Sequence, residues 1–550
     1  MTGGRSQLMA RGARRASERT VYAVLLAAFA GVTAQLLILA VPRHGDITLA
    51  VSEPISATSF SRPDIVDRNG RLLATDLEAP SIFADAGLVV DRDEAVESLQ
   101  SVLPDLNGRE LLRALSDKSR RFIWVRRGVS PGIAQKVHDL GLPGISFRYE
   151  LKRAYPGGMM AGHVLGYTDV DNRGVSGIER YIDDKVGVDP VHAAVLSGRP
   201  PVRLSLDIGV QHALEDELDD ADRRYKTDGA AGVVLNIKTG EILASASLPR
   251  VDPSWPTQAL DDKHIDRTAA GTYELGSVFK TLTLAMAFDN GLARPDTLLD
   301  VRQPLEAGRF TVSDFHPASR PLTVTEVYTH SSNVGAGMLA LEAGPERMRA
   351  FLEKVGVLNQ MQTEEGPLAP PQVPKVWNRV STITASFGHG VAVSPLQFAA
   401  AAATILNSGK TVHPTFLRKF DAGTADGKPV VSAATSQLIA QLMRRNVVDR
   451  DGTGGKADVP GYRVGGKTGT ADVAGKGGYT SNSVISSFLA AFPSEDPQYL
   501  TYIVLFEPKA LEGAKGHRTA GLNAAPVTGA LIARIAAQLG VAPQTVTASK

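Results

Sequence analysis

A serine hydroxyl and a lysine amine stand three residues apart in Tyr273-Glu274-Leu275-Gly276-Ser277-Val278-Phe279-Lys280, and an apolar run over 281–288 follows directly. On a helix that spacing puts both groups on one face, so Ser277 can hand its proton to Lys280. The plainer reading makes Ser277 an N-cap and Lys280 a surface residue. Against it, this is the only S-x-x-K of the chain, and a helix apolar nearly all round has no wet face for its lysine. Two further motifs follow in order: Ser331-Ser332-Asn333, the only S-x-N, and Lys467-Thr468-Gly469-Thr470 behind the strand residues Val464-Gly465-Gly466. Acyl transfer needs a nucleophile, a base, a proton path to the leaving amine, an oxyanion hole and a grip on the substrate. The motifs supply a candidate for each. Ser277 is the nucleophile, Lys280 the base, and Ser331 the carrier of the proton to the departing amine. The backbone amides of Ser277 and Thr470 are the oxyanion donors. Asn333, Lys467, Thr468, Gly469 and Thr470 bind substrate, with Lys467, Thr468 and Thr470 on a terminal carboxylate. A base must be unprotonated, and burial together with a second cation at Lys467 would push Lys280 that way.

Three decoys compete. Lys238-Thr239-Gly240 repeats the K-T-G letters but sits at a hairpin bend, where those residues are ordinary turn chemistry. Gly461 to Thr468 satisfies the phosphate-loop pattern G-x-x-x-x-G-K-[ST]. A phosphate loop needs a helix next, whose N-terminus holds the phosphates, and Gly469-Thr470-Ala471-Asp472-Val473-Ala474-Gly475 is no helix. His389, in Ser386-Phe387-Gly388-His389-Gly390, has no second ligand at a metal spacing, so a loop histidine is expected, with no metal and no cofactor.

The elements that must position these groups read as follows. The central helix ends at Asn290-Gly291. Before it come a strand over 202–206, a helix over 207–218, and a hairpin of 232–237 with 241–247. After it, residues 323–357 and 393–407 read as helical, then strands over 462–471, 483–492 and 499–506, and a closing helix over 523–539. Strands at both ends with helices between predict an α/β (α+β) domain in which one antiparallel sheet, completed by both termini, is flanked by helices. Upstream, Arg62 to Gly70 enters a tight turn that Leu72-Leu73-Ala74 leaves, 91–145 reads as helical, and the Gly-rich stretch 155–179 as loops and short strands. No catalytic constellation stands in 43–200.

Charge and composition narrow the function. With 59 basic against 58 acidic residues, no electrostatic footprint for nucleic acid exists. The absence of cysteine rules out disulfides and thiol catalysis and suits an oxidising compartment. Residues 1–19 carry five arginines against Glu18, and 21–41 hold no charge. As a helix that run spans about 31 Å, near the thickness of a bilayer core. A retained membrane anchor with a cytoplasmic N-terminus is expected, with the rest across the membrane. A cleaved signal peptide is the alternative.

S-x-x-K, S-x-N and K-T-G-T in this order resemble the penicillin-recognising serine acyltransferases. Ser332 stands where β-lactamases commonly carry Asp. The anchor, Arg62 to Gly70, Gly177-Ile178-Glu179, Leu204-Ser205-Leu206-Asp207, Thr239-Gly240-Glu241-Ile242-Leu243-Ala244, Ser394-Pro395-Leu396-Gln397 and Ala524-Ala525-Pro526-Val527 extend the resemblance to class B penicillin-binding proteins, over nearly everything from 20 to 530. Leu275 replaces a common Pro, and Pro63 a common Gly. The resemblance implies a periplasmic peptidoglycan D,D-transpeptidase of a Gram-negative bacterium, closer to the septal than to the elongation members. It implies a cytoplasmic tail over 1–19, an anchor over 20–42, an elongated mainly-β pedestal over 43–200, a transpeptidase domain over 201–540 and a tail over 541–550. Its partners would be stem peptides ending in D-Ala-D-Ala, β-lactams, the membrane, and a septal glycan polymerase with other divisome proteins. A hydrolysing β-lactamase or carboxypeptidase and a non-catalytic sensor or scaffold are the alternatives.

Overall fold

The computed structural model describes residues 61–187, 200–308, 310–419, 427–475 and 478–544, together with Ala27 and Gly31. The anchor expected at 21–41 otherwise lies outside the described residues, among which no helix is long and apolar enough to cross a membrane.

The N-terminal part is built on β1 (Ile65–Val66) and the long β2 (Leu72–Ala84). Gly70 at the bend takes φ 85°. Helices α1 (Arg92–Val102) and α2 (Gly108–Leu115), strand β3 (Ile123–Arg126), helix α3 (Pro131–Asp139) and strand β4 (Ile145–Ala154) follow. The stretch 91–145, expected to be helical throughout, is thus interrupted by β3, where Ile123 and Val125 alternate inward with period two. Strand β2 pairs with β1 and β3 and, over ten positions, with β4. The short β5 (Val202–Arg203) pairs parallel with β1. The Gly-rich stretch folds as turns and two short helices, Gly162–Leu165 and Gly177–Tyr181.

The distant Arg62 and Glu179 meet here. Arg62 Nε donates to Glu179 Oε2 at 3.0 Å and Arg153 Nε to Oε1 at 2.7 Å, while Arg153 Nη1 reaches Asp76 at 3.1 Å. The Glu179 side chain is 0% exposed. Removing one member of a buried ion network strands the others without water, which costs about 3–5 kcal/mol. Glu179→Ala is therefore expected to lose that much stability in urea unfolding, and a loss below about 1 kcal/mol would show the network to be dispensable.

The C-terminal part opens with α4 (Ile208–Tyr225), whose N-cap Asp207 accepts from Gly209 and Val210 amides. The hairpin β6 (Gly229–Asn236) and β7 (Ile242–Leu248) comes next, then helices α5 (Lys280–Asp289), α6 (Val324–Thr329), α7 (Asn333–Ala343), α8 (Pro395–Leu406) and α9 (Ala433–Val448). Strands β8 (Gly465–Gly475), β9 (Gly478–Phe492) and β10 (Tyr499–Phe506) and helix α10 (Ala524–Ile535) complete it. The five strands run in the order β8-β9-β10-β6-β7, all antiparallel, so the two ends of the domain join in one sheet. One face carries α5 and α8. Every residue of α8 is buried, and its alanines let neighbouring elements close in, while Phe398 packs between Phe279 at 5.0 Å and Tyr502 at 5.6 Å. On the other face α4 and α10 cover a second core around Leu214, Phe488 and Ile532. The two parts are tied where Arg68 N–H donates to Leu206 O at 2.8 Å and Asn69 to Asp207 at 2.9 Å. Strand β8 remains as a sheet edge, beside the start of α5.

Candidate active site

Ser277 lies in a 3-10 turn, Gly276–Phe279, from which α5 continues. The spacing predicts an α-helix opening at Ser277. The tighter turn replaces its beginning, and in such a turn residues i and i+3 eclipse, which aligns serine and lysine more directly. Gly276 enters it at φ 63°, a conformation that disfavours a Cβ. A Cβ there would also meet Thr470 O at 2.5 Å. Ser277 makes no capping bond; its Oγ lies 2.9 Å from Lys280 Nζ. Lys280 is 0% exposed, so it is no surface residue.

The second motif arises from a break. The helix expected over 323–357 is interrupted after α6, where Ser331 takes φ 60°, at a cost of about 1–2 kcal/mol for an L-residue. The kink is held by the Ser332 amide on Val327 O at 2.9 Å and by Asp314. That carboxylate accepts from Ser332 Oγ at 2.6 Å, Asn333 N at 2.5 Å and Val334 N at 3.0 Å. In consequence Lys280 Nζ is 2.5 Å from Ser331 O, 3.1 Å from Ser331 Oγ and 2.7 Å from Asn333 Oδ1.

The third motif approaches along β8. Lys467 Nζ donates to Ser331 Oγ at 3.0 Å and lies over the Tyr328 ring, 5.7 Å from its centroid. The Ser331 hydroxyl therefore bridges two buried amines. Thr468 Oγ1 is 2.7 Å from Thr453 Oγ1, Asn446 Nδ2 donates to Gly466 O at 2.8 Å, and Thr470 stands exposed at the strand edge. At Gly469 the strand presses on the serine turn: a Cβ would meet Ser487 Oγ at 2.4 Å and Leu275 O at 2.6 Å. Gly469→Ala must push β8 away from Ser277. It is expected to slow acylation of Ser277 at least about tenfold and to cost about 1–3 kcal/mol in urea unfolding; an unchanged acylation rate would show that the strand tolerates the displacement.

Electrostatics set the proton inventory. Burial first, then the charge of Lys467, drives Lys280 well below the usual lysine range, against a weaker pull from Asp314. Burial brings Lys467 down to about 7. The carbonyl of Ser331 and Oδ1 of Asn333 only accept. They take the two N–H bonds of a neutral Lys280 amine, and its lone pair is left for the Ser277 or Ser331 hydroxyl.

The structure brings Ser277, Lys280, Ser331, Asn333 and Lys467 into one hydrogen-bonded group, with Thr468, Gly469 and Thr470 along its edge. Sequence reading missed Asp314, Tyr328, Asn446 and Thr453, which hold that group in place. Only Tyr328, close before Ser331, offered a signal. The decoys resolve locally. Asn236 Oδ1 accepts from the Lys238 and Thr239 amides at 2.9 and 3.1 Å in the hairpin bend, a strand follows Lys467-Thr468, and His389 sits in a loop against Phe387, ring centroids 5.3 Å apart.

A serine aligned with a buried lysine, a hydroxyl shared between two amines and a glycine-lined strand edge, all on a helix-covered antiparallel sheet, define a penicillin-recognising serine enzyme. The chain belongs to the class B penicillin-binding proteins: residues 230–532 match the penicillin-binding protein transpeptidase domain and residues 58–187 the penicillin-binding protein dimerisation domain. It is 38% identical over 493 residues to the probable peptidoglycan D,D-transpeptidase FtsI of Caulobacter vibrioides, covering 88% of this chain and 82% of that one. It is 28% identical to the peptidoglycan D,D-transpeptidase FtsI of Escherichia coli, covering 90% and 86%. Among solved structures it is similar to penicillin-binding protein 3 of Mycobacterium tuberculosis complexed with aztreonam, with a TM-score of 0.66, 26% identity, and 88% and 98% coverage.

Proposed function

We propose that the chain is a septal peptidoglycan D,D-transpeptidase that works through a Ser277 acyl-enzyme. The observation that carries this reading is Ser331 Oγ, 3.1 Å from Lys280 Nζ and 3.0 Å from Lys467 Nζ, beside Ser277 Oγ at 2.9 Å from Lys280. The Ser277 oxygen attacks the carbonyl carbon of the penultimate D-alanine while its proton passes to Lys280. The oxyanion is met by the amides of Ser277 and Thr470, and Lys467, Thr468 and Thr470 hold the terminal carboxylate. Collapse breaks the C–N bond, and the proton travels from Lys280 through Ser331 to the leaving D-alanine nitrogen. An amine of a second stem peptide then attacks the ester, its proton retraces the path, and Ser277 is regenerated as the new amide forms. β-Lactams acylate the same serine: the ring C–N bond breaks and its nitrogen takes the proton, but that nitrogen stays tethered to the acyl group and obstructs the approach of an acceptor amine.

In this reading residues 1–19 are cytoplasmic, 20–42 anchor the chain in the inner membrane, 43–200 form a pedestal for the septal glycan polymerase and other divisome proteins, 201–540 the periplasmic transpeptidase domain, and 541–550 a tail. The support is the basic, then uncharged N-terminal sequence and the two matched families. Incubating the purified protein with a stem pentapeptide and an acceptor amine should release D-alanine and yield the cross-linked amide, both seen by mass spectrometry. D-Alanine with only the hydrolysed tetrapeptide would reassign the enzyme as a carboxypeptidase, and no D-alanine would leave a scaffold.

A further inference from the structure

The attack of the acceptor amine, as read above, leaves one proton without a destination, and the present inference rests on that acyl-enzyme reading. A stem-peptide amine arrives as an ammonium, since with a lysine-like pKa fewer than about one in a thousand is neutral at pH 7. Two protons must leave its nitrogen before the amide is complete. The path through Ser331 and Lys280 returns one of them to the Ser277 oxygen. The other must be taken before the attack, because an ammonium has no lone pair to offer, and it must be taken by a base outside that path.

His389 is a titratable group that the mechanism has not used and that the fold carries to the serine turn. Gly276 N donates to Gly388 O at 3.4 Å and the Gly390 amide to Glu274 Oε1 at 2.8 Å. The loop is thus pinned, on both sides of His389, to residues one and three places before the nucleophile. Gly388 takes φ 81°, and a Cβ there would meet Gly276 O at 2.3 Å, so a glycine is what lets the loop come this close. Glu274, Asp472 and Lys280 are the charged or titratable neighbours of the imidazole, and Lys280 is neutral in the mechanism above. Burial keeps the ring below the usual imidazole range, against the pull of the two carboxylates. It is therefore neutral near pH 7 and able to accept a proton, and the carboxylates stabilise the imidazolium that forms. A cleft of about 480 Å³ opens beside this loop, with Glu274, Thr384 and Gly390 in its wall, and none of the described residues of β8 lines it. The donor's edge and this second approach are separate, with the 388–390 loop between them.

We propose that His389 is a catalytic base of the second half-reaction, which takes the ammonium proton of an acceptor amine entering along this cleft. One N–H bond of the ammonium breaks and its proton moves to an imidazole nitrogen. The amine lone pair then attacks the ester carbon, the C–O bond to Ser277 breaks, the second proton returns to Ser277 through Ser331 and Lys280, and the imidazolium releases its proton to water. The test offers the acyl-enzyme two acceptors at once, a stem peptide with one free lysine amine and hydroxylamine, which is already neutral at pH 7. The donor is a stem pentapeptide whose own amines are acetylated, and the isopeptide and hydroxamate products are counted by mass spectrometry. Both products come from one acyl-enzyme, so their ratio is independent of the fraction of folded protein and of the titration of Lys280 and Lys467. At pH 7 His389→Gln should lower the ratio of isopeptide to hydroxamate at least about tenfold, and raising the pH to 9 should restore it by neutralising the amine. In the unmodified enzyme the ratio should change less than about threefold between pH 7 and 9, although the neutral amine increases about a hundredfold. An unchanged ratio in His389→Gln, or a ratio in the unmodified enzyme that climbs with the neutral amine, would overturn the assignment. Failure of the acyl-enzyme reading is distinguishable, because no hydroxamate would then form and Ser277→Ala would keep its penicillin label.

Discussion

Ser277→Ala should fold as the parent does and take up no fluorescent penicillin, and its release of D-alanine from a stem pentapeptide should fall by about 10⁴-fold or more. The size of the effect follows from the role: without the hydroxyl no ester forms, and the residual rate is that of bound water. Folding survives because Ser277 caps no helix and its Oγ contributes one hydrogen bond, to a lysine with three other acceptors. Intact-mass measurement after exposure to penicillin checks it. A mass increase in the variant would place the nucleophile elsewhere.

Lys280→Met keeps nearly the same volume and should lose about 10³-fold or more in acylation rate, a range typical of a general base that also positions its nucleophile. The pH dependence discriminates between roles. Lys280 deprotonates first, because burial and the neighbouring Lys467 charge both oppose its proton, and in the proposed mechanism it is the neutral Lys280 that activates Ser277. In the same mechanism Lys467 acts charged, holding a carboxylate, and in the free enzyme burial brings its proton loss down to about 7. For a carboxylate-bearing penicillin, kcat/KM should thus rise with pH as Lys280 deprotonates and fall again around 7 as Lys467 does. Lys467→Arg, always charged, should move the falling limb to higher pH. A falling limb that stays near 7 in that variant would remove Lys467 from the assignment.

Much of the site was legible because its chemistry is written in short motifs. Ser277 and Lys280 belong to one turn, so their spacing is a local property, and Thr468, Gly469 and Thr470 lie on one strand whose glycines announce close contact. The sheet was legible too, since alternating apolar strands at both ends of a domain have few ways to bury their faces. The break at Ser331 was not. Residues 323–357 carry an almost continuous helical pattern, and what interrupts it is the Asp314 carboxylate, 18 residues before Ser332, competing for the first amides of α7. Within 91–145, β3 was hidden because a strand of four residues is stabilised by its pairing with β2 rather than by its own pattern.

The order and spacing of the candidate groups, the sheet with its covering helices and the family were thus legible in local sequence alone, because hydrophobic period and motif spacing act over a few residues. Only the tertiary structure decided that Ser331 Oγ lies between two amines, that Lys280 is dry enough to be a base, and that Asp314, Tyr328, Asn446 and Thr453 hold the cleft together. Those outcomes depend on desolvation and on contacts between segments more than a hundred residues apart, such as Ser331 with Lys467. Burial and proton affinity belong to such an assembly and not to any one stretch of chain.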